Sequence, residues 1–343
     1  MARIAVIGAG AWGTALSIAL ARNGTHQVRL WAYEKEVVDS IRTSHVNEPF
    51  LSGCLLPESI AATQSLAEAI DGAEVVLSVM PSHHARRVWQ QMKPLLRPEM
   101  LLVSATKGIE NDSLLRMTQV ITDVLTHGEG SFAPRLCAMS GPTFAREVAK
   151  GYPTTISVAS GDASLPAQVQ DTFSDANFRL YRHDDVIGLE LGGAVKNVIA
   201  IAAGVVDGIG YGHNTVAALI TRGLAEMTRL TVACGGRAET MSGLAGLGDL
   251  VLTCTGGLSR NRSVGVELGR GRTLKEIIAD MHGMVAEGVM TTNAAVGLAH
   301  SVNVEMPITE QMHAILEQGK DPSQAIRELM NRPLAHETAL YRD

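Results

Sequence analysis

Cysteine is scarce in this chain, and the few that occur stand apart. Cys54, Cys137, Cys234 and Cys254 form no Cys-x-x-Cys pair and have no nearby His pair at metal-ligand spacing. The pattern gives no disulfide framework and no metal site, and the four read as reduced, mostly buried small hydrophobes. Aromatic residues make up only 4% against 34 glycines, so the core is expected to be built from small side chains. Basic residues are outnumbered, 29 Lys and Arg against 35 Asp and Glu, for a net charge of -6. That balance argues against general affinity for nucleic acid or an anionic membrane, so any anionic ligand must be met by a local pocket. Beyond the N-terminal stretch no uninterrupted apolar run approaches bilayer length, so no membrane span is expected. With 46% hydrophobic and 19% charged residues over 343 positions, the chain can bury ample core and is long enough for two domains.

The opening MARIAVIGAGAWGTALSIALAR admits two readings. It has the single preceding Arg, the uncharged run from Ile4 to Ala21 and the small-x-small end of a secretory signal. Equally, Ile4 to Ile7 is a short apolar run suited to a buried strand, followed by Gly8-x-Gly10-x-x-Gly13 and a helix-period stretch. That is the strand, turn and helix of a dinucleotide-binding fingerprint. The continuation favours the second reading, because Arg22-Asn23-Gly24 is a helix stop and Gln27 to Trp31 alternates as a strand should. On this reading the protein is expected to be cytoplasmic.

Further apolar runs at Glu74–Val79, Met100–Ser104, Thr154–Val158 and Phe178–Tyr181 keep the strand-like texture. Strands alternating with helices imply a mostly parallel sheet whose ligands collect beyond the strands' carboxyl ends. Past about Asp185 long helical stretches take over, at 187–206, 215–233, 273–280, 291–300 and 308–316. The expected fold is an α/β, Rossmann-like domain over residues 1–185 followed by an all-α domain over residues 186–343.

Several constellations carry chemistry. In the glycine pattern, Gly8 permits the tight turn, Gly10 lets backbone approach a pyrophosphate, and Gly13 lets the helix lie close to the strand. After the second strand, Glu34 suits the ribose hydroxyls of NAD and Lys35 the 2'-phosphate of NADP, while the two also read as a solvated charge pair. Lys196 is the only charge between Glu190 and Asp207. It lies on a helix with Gly192, Gly193 and Ala200 on its own face, so a ligand could lie over these small residues. Burial would bring its pKa from about 10.4 toward roughly 7 or 8, where an amine exchanges protons; the plainer alternative is a lysine snorkelling to solvent. Gly246-Leu-Gly248-Asp249 draws backbone close to something. Ser259 fits a helix N-cap followed by Arg260 and Asn261, together a phosphate cup or an ordinary helix start. Lys107 stands in a post-strand loop, and Thr143 follows Gly141-Pro142, where it also suits a helix cap.

Taken in order, Gly8-Ala-Gly-Ala-Trp-Gly-Thr-Ala15, Val79-Met-Pro-Ser-His83, Ala105-Thr-Lys-Gly108, Ser140-Gly-Pro-Thr-Phe-Ala145, Gly192-Gly-Ala-Val-Lys-Asn197, Gly246-Leu-Gly-Asp249, Ser259-Arg-Asn261 and Glu305-Met-Pro-Ile-Thr-Glu310 resemble the NAD(P)-dependent glycerol-3-phosphate dehydrogenases of bacterial type. The resemblance runs along essentially the whole chain. It implies NAD or NADP as cofactor and reversible hydride transfer with dihydroxyacetone phosphate, giving sn-glycerol 3-phosphate for phospholipid synthesis. It further implies a homodimer.

Lys196 would then be the proton donor and acceptor, with Lys107 beside the same oxygen and the cofactor. Asp249 would hold a substrate hydroxyl and orient Lys196. Ser259, Arg260 and Asn261 would grip the phosphate, and Gly141 and Thr143 would complete the substrate wall. The dinucleotide would meet Gly8, Gly10, Ala11, Trp12, Gly13, Tyr33, Lys107, Ala145, Arg260, Val285 and Glu287. Two departures touch cofactor choice: Ala11 stands where many members have Ser, and Tyr33-Glu34 where users of NADP often have His or Arg, which tilts the chain toward NAD. Two-domain dehydrogenases of the 6-phosphogluconate or hydroxyacyl-CoA type are an alternative that the Gly-Gly-Ala-Val-Lys-Asn and Gly-Leu-Gly-Asp tandem disfavours. A nucleotide sensor is a third reading, and it has no use for a proton donor.

Overall fold

Residues Ile4 to Ile7, apolar on both faces, form the centre of β1 (Arg3–Ile7) and are buried throughout. In the computed structural model, which describes residues 1–22, 24, 26–281, 286–334 and 337, seven more strands join it. They are β2 (Gln27–Trp31), β3 (Ile60–Thr63), β4 (Val75–Ser78), β5 (Leu101–Ser104), β6 (Arg135–Ser140), β7 (Thr154–Ala159) and β8 (Phe178–His183). The strand order is β3-β2-β1-β4-β5-β6-β7-β8, and all neighbours run parallel except β6 and β7. Ile4 pairs with Val28 on one side and Val75 on the other. The order therefore reverses at β1, which is where a doubly wound sheet opens a crevice beyond its strand ends. The stretch with signal-like composition is thus the central strand and the first helix, Ala11–Ala21, whose residues Gly13 to Ala21 are all buried. β3, a small-residue run of Ile60-Ala-Ala-Thr63, carries too little hydrophobic pattern to be legible in the sequence.

The chain divides into two compact units: Met1–Thr106 with Met117–Val186, and Lys107–Arg116 with Ile187–Asp343. A single cut near residue 185 has no place for the segment Lys107–Arg116, which groups with the second, helical unit.

The second unit is organised on one helix, Val186–Ile209, buried continuously from Gly188 to Val206. It is long and apolar enough to cross a bilayer, and 89% of its apolar window is buried inside the protein, as the core helix of a globular unit would be. Helix Arg260–Gly269 crosses it in backbone contact. A Cβ on Gly204 would stand 2.0 Å from the Arg262 carbonyl oxygen and one on Gly265 1.9 Å from that of Ile201. Small residues at these crossings let two helix axes come closer than side chains otherwise allow. The remaining principal helices are His213–Ala233, Asp249–Thr255, Leu274–Asp280, Glu287–Ser301 and Pro307–Gln318. All but Asp249–Thr255, where no periodic stretch is legible, start and stop within a few residues of the periodic stretches, and Leu274–Asp280 opens with a Thr273–Glu276 capping box.

Candidate active site

In the sheet unit the glycine turn follows β1 directly. Gly8 has φ +117°, and a Cβ there would lie 2.6 Å from the Val79 carbonyl oxygen; one on Gly13 would lie 1.9 Å from that of Gly8. The fold itself demands these two glycines. Gly10 differs, since a Cβ there would meet nothing within 4 Å, so its smallness leaves space open at the start of the helix. Gly10 caps that helix without a side-chain hydrogen bond, and no acidic residue stands in the first turn. The free N–H groups and positive end of the dipole therefore suit an anion. The Trp12 Nε1 is buried and has no hydrogen-bond partner among the described residues. Ala11, Trp12 and Ala145 all pack against this unit's core, and the helix Ala145–Ala149 lies against Ala11–Ala21.

Asn47, which carries no motif, proves central to this turn. Fully buried, it donates from Nδ2 to the Ala9 carbonyl oxygen at 2.7 Å and to Thr14 Oγ1 at 2.7 Å, while Oδ1 accepts from the Phe50 N–H at 3.2 Å. It clamps the turn from behind. Beyond β2, Tyr33 is 70% exposed. Glu34 does not cap the helix it precedes and acts electrostatically on His84, whereas Lys35 is paired with Asp39 on its own helix. Glu34 and Lys35 are therefore not the mutual charge pair that their adjacency suggests. On the same unit Gly141 follows β6 at φ +157°, with Ile156 Cα 3.1 Å from where a Cβ would be. Thr143 donates from Oγ1 to the Gly141 carbonyl oxygen at 3.1 Å. It bends the loop and caps no helix; the next one begins after Phe144.

In the helical unit four residues converge. Lys196 Nζ lies 3.1 Å from Asp249 Oδ1 and donates to Thr253 Oγ1 at 2.7 Å. Lys107 Nζ donates to Asp249 Oδ2 at 2.6 Å. Thr253 Oγ1 in turn lies 2.6 Å from the Asp249 carbonyl oxygen and 3.2 Å from Oδ1, one helical turn on. Lys196 is 6% exposed and Asp249 1%, so this is a buried cluster, not a snorkelling lysine. Burial lowers the Lys196 pKa to about 8; Asp249 works against that shift and Lys107 adds to it. Burial alone would raise the Asp249 pKa, but the two ammonium groups outweigh it and the carboxyl is held below its ordinary value.

Gly192, one turn before Lys196, does different work from that expected. A Cβ on Gly192 would meet the Ala245 carbonyl oxygen at 2.6 Å, so the room there is filled by protein. The backbone that fills it is the wide π turn Leu244–Gly248, which delivers Asp249. Such turns recur at functional sites.

Ser259 caps the helix Arg260–Gly269, its Oγ accepting from the Arg262 N–H at 3.2 Å, as the sequence suggests. Asn261 spends part of its carboxamide on structure. Its Nδ2 donates to Asn197 Oδ1 at 2.9 Å and its Oδ1 accepts from the Gly288 N–H at 2.9 Å, which ties the start of the helix Glu287–Ser301 to the residue beside Lys196. One N–H of Asn261 remains for a ligand. Arg260 is exposed and feels the Glu287 carboxylate; Arg262 pairs with Asp207 at 2.9 Å. Val285 lies outside the described residues. Thr253 and Asn47 lie in none of the motifs, and Asn197, though it stands in one, has no role assigned to it there; only the i+4 spacing of Thr253 from Asp249 hints at a shared face.

A doubly wound sheet with an open glycine turn, joined in one chain to a helical unit that buries a lysine–aspartate–lysine cluster, defines the class of two-domain nicotinamide-dependent oxidoreductases. Comparison with known proteins sharpens this. Residues 3–165 match the profile of the NAD-dependent glycerol-3-phosphate dehydrogenase N-terminus, and residues 185–327 that of the corresponding C-terminus. A glycerol-3-phosphate dehydrogenase [NAD(P)+] of Koribacter versatilis is 65% identical over 340 residues, 99% of this chain and 100% of the relative. One of Acidobacterium capsulatum is 55% identical over 336 residues, 97% and 99% of the two chains. The crystal structure of glycerol-3-phosphate dehydrogenase from Coxiella burnetii superposes with a TM-score of 0.91 at 42% identity, covering 96% of this chain and 99% of that one. The chain belongs to the NAD-dependent glycerol-3-phosphate dehydrogenase family.

Proposed function

We propose that this protein catalyses reversible hydride transfer between NAD(P)H and dihydroxyacetone phosphate, giving sn-glycerol 3-phosphate. The observation that carries the reading is the buried Lys196–Asp249–Lys107 cluster, in a chain whose relatives bear that activity in their names. The open Gly10 position, the uncapped helix start and the unpartnered Trp12 indole N–H fit a dinucleotide, held by Gly8, Gly10, Ala11, Trp12, Gly13, Tyr33 and Ala145 with Lys107, Arg260, Val285 and Glu287. When bound, that cofactor supplies or accepts the hydride. The protein's own residues handle the proton and the substrate.

With a pKa of about 8, Lys196 is mostly protonated at neutral pH and can give a proton to the C2 oxygen as the ketone is reduced. In the opposite direction the neutral amine takes that proton back. Asp249 fixes the Lys196 ammonium and accepts from a substrate hydroxyl, while Thr253 holds Lys196 Nζ from a second direction. Lys107 adds positive charge where an alkoxide develops, which is worth most in a water-poor site. Ser259, Arg260 and Asn261 receive the phosphate end, and Gly141 and Thr143 complete the substrate wall. Binding energy from that remote group orients the C2 carbonyl.

We further infer a cytoplasmic homodimer serving glycerophospholipid synthesis. Four free, separated cysteines support a reducing compartment, and exposed apolar side chains of the helical unit, Val232 and Ile278 among them, support a dimer. The test is oxidation of NADH and of NADPH with dihydroxyacetone phosphate, beside acetoacetyl-CoA and ribulose 5-phosphate. Turnover with the first alone is expected; turnover only with another, or with none, overturns the reading.

A further inference from the structure

We propose that the ion pair between Arg116 and Glu190 is a positioning device that holds Lys107 against Asp249, making Lys107 a fixed part of the helical unit although it follows a strand of the sheet. The inference rests on the functional reading above.

The chain leaves the sheet unit after Thr106 and rejoins it at Met117, and the segment between belongs to the helical unit. That segment is tied at both ends. At its start Lys107 meets Asp249 at 2.6 Å. At its end Arg116 pairs with Glu190, with the two side chains 13% and 6% exposed. Glu190 stands on the same helix as Lys196. The middle is equally fixed. Ile109 and Arg116 form an antiparallel bridge, and the Glu110 N–H donates to the Leu115 carbonyl oxygen at 3.0 Å. Ile109 is 1% exposed within the helical core.

Leu114 holds φ +58°, a left-handed conformation that a branched side chain adopts at a cost and that persists only where surroundings impose it. Here its side chain packs over Gly297, where a Cβ would stand 3.1 Å from Leu114 Cδ2. A lysine on a free loop would spend many rotamers finding one carboxylate. A lysine on this strap is held in place, and small displacements of a catalytic group cost rate steeply.

Releasing the strap should have two effects. The charge beside the developing alkoxide is lost, so kcat falls. Lys196 also loses a like-charged neighbour. The groups that face Lys196 are Asp249, Lys107, the Thr253 hydroxyl and the Cys254 thiol, so with Lys107 displaced the remaining neighbours favour the protonated amine.

The experiment compares the wild type with Glu190→Gln and with the double variant Arg116→Gln/Glu190→Gln, in which both charges of the pair are removed together. With dihydroxyacetone phosphate, kcat is expected to fall roughly 10- to 100-fold. The alkaline limb of kcat/KM should move upward from about 8. Independently of turnover, acylation of Lys107 by an amine-reactive ester, followed by peptide mass spectrometry, should speed up at least about tenfold, because its side chain is only 15% exposed while tied. Unchanged acylation in the double variant overturns the proposal, as does unchanged kcat with an unmoved alkaline limb. An equal loss of NADH affinity without the pH shift also overturns it, because it would mean general loosening. Should the wild type itself fail to reduce dihydroxyacetone phosphate, the functional reading falls and the acylation rates still decide the strap.

Discussion

The two units of this protein build their sites from different material. The sheet unit works with backbone: a turn shaped by Gly8 and Gly13, an open Gly10, an uncapped helix start, and Asn47 gripping the turn from behind. The helical unit works with charged side chains in a dry core, two lysines on one carboxylate, with Thr253 bracing one of them. A backbone cradle recognises a group shared by many ligands, which is why sheets of this kind serve many reactions. Buried charge is costly unless paired. Charge held where it costs so much is therefore the more specific indicator of a reaction, and it is the helical unit that carries it.

That contrast can be broken first at Lys196. Lys196→Ala should lower turnover by roughly 10²–10⁴-fold while NADH still binds, as read by fluorescence titration; near-normal turnover would remove the proton-transfer role. Next comes Arg260→Ala, which should weaken dihydroxyacetone phosphate binding by roughly tenfold or more, the worth of a charge-assisted hydrogen bond, with little change in NADH oxidation at saturation. An unchanged substrate KM would sink the phosphate cup. The sheet unit is expected to fail differently. Gly13→Ala forces a Cβ toward the Gly8 carbonyl oxygen and should cost about 1–3 kcal/mol of stability and most of the dinucleotide affinity, checked by thermal melting with and without NADH.

The pH dependence sharpens the helical side. Lys196 must be protonated to act as the acid, so reductive kcat/KM should hold below about pH 8 and decline above it, whereas the oxidative direction should rise through the same range. A profile flat from pH 7 to 10 would contradict the assignment. Smallest of all, Ser259→Ala removes a helix cap and should cost about 1 kcal/mol in melting experiments, with a loss of dihydroxyacetone phosphate affinity and not of the Lys196 pH profile.

Much of this was legible along the chain because it is local. The alternation of Gln27–Trp31, the glycine turn, the Ser259 cap and the helical texture after residue 185 are each decided by contacts within a few residues, and the structure has them where the sequence suggested. Lys196 stood out as one charge in an apolar helix, a pattern that needs no partner to be seen. Other signals were local and pointed elsewhere. Glu34 and Lys35 look like a pair, yet Lys35 turns to Asp39. Gly192 looks like room for a ligand and is filled by the Ala245 backbone.

The sequence by itself determined the alternation of strands and helices, the anion-ready turn and the placing of a single charge, Lys196, in an otherwise apolar helix. Only the tertiary structure decided that Lys107, far away in the chain, shares a carboxylate with Lys196, that Asn47 supports the glycine turn, and that the segment Lys107–Arg116 belongs with the helices. The reason is physical. Short-range preferences are written in neighbouring residues, whereas a buried charge cluster exists only once burial makes each unpaired partner too costly to leave alone. That cost is set by groups which the chain brings together only on folding.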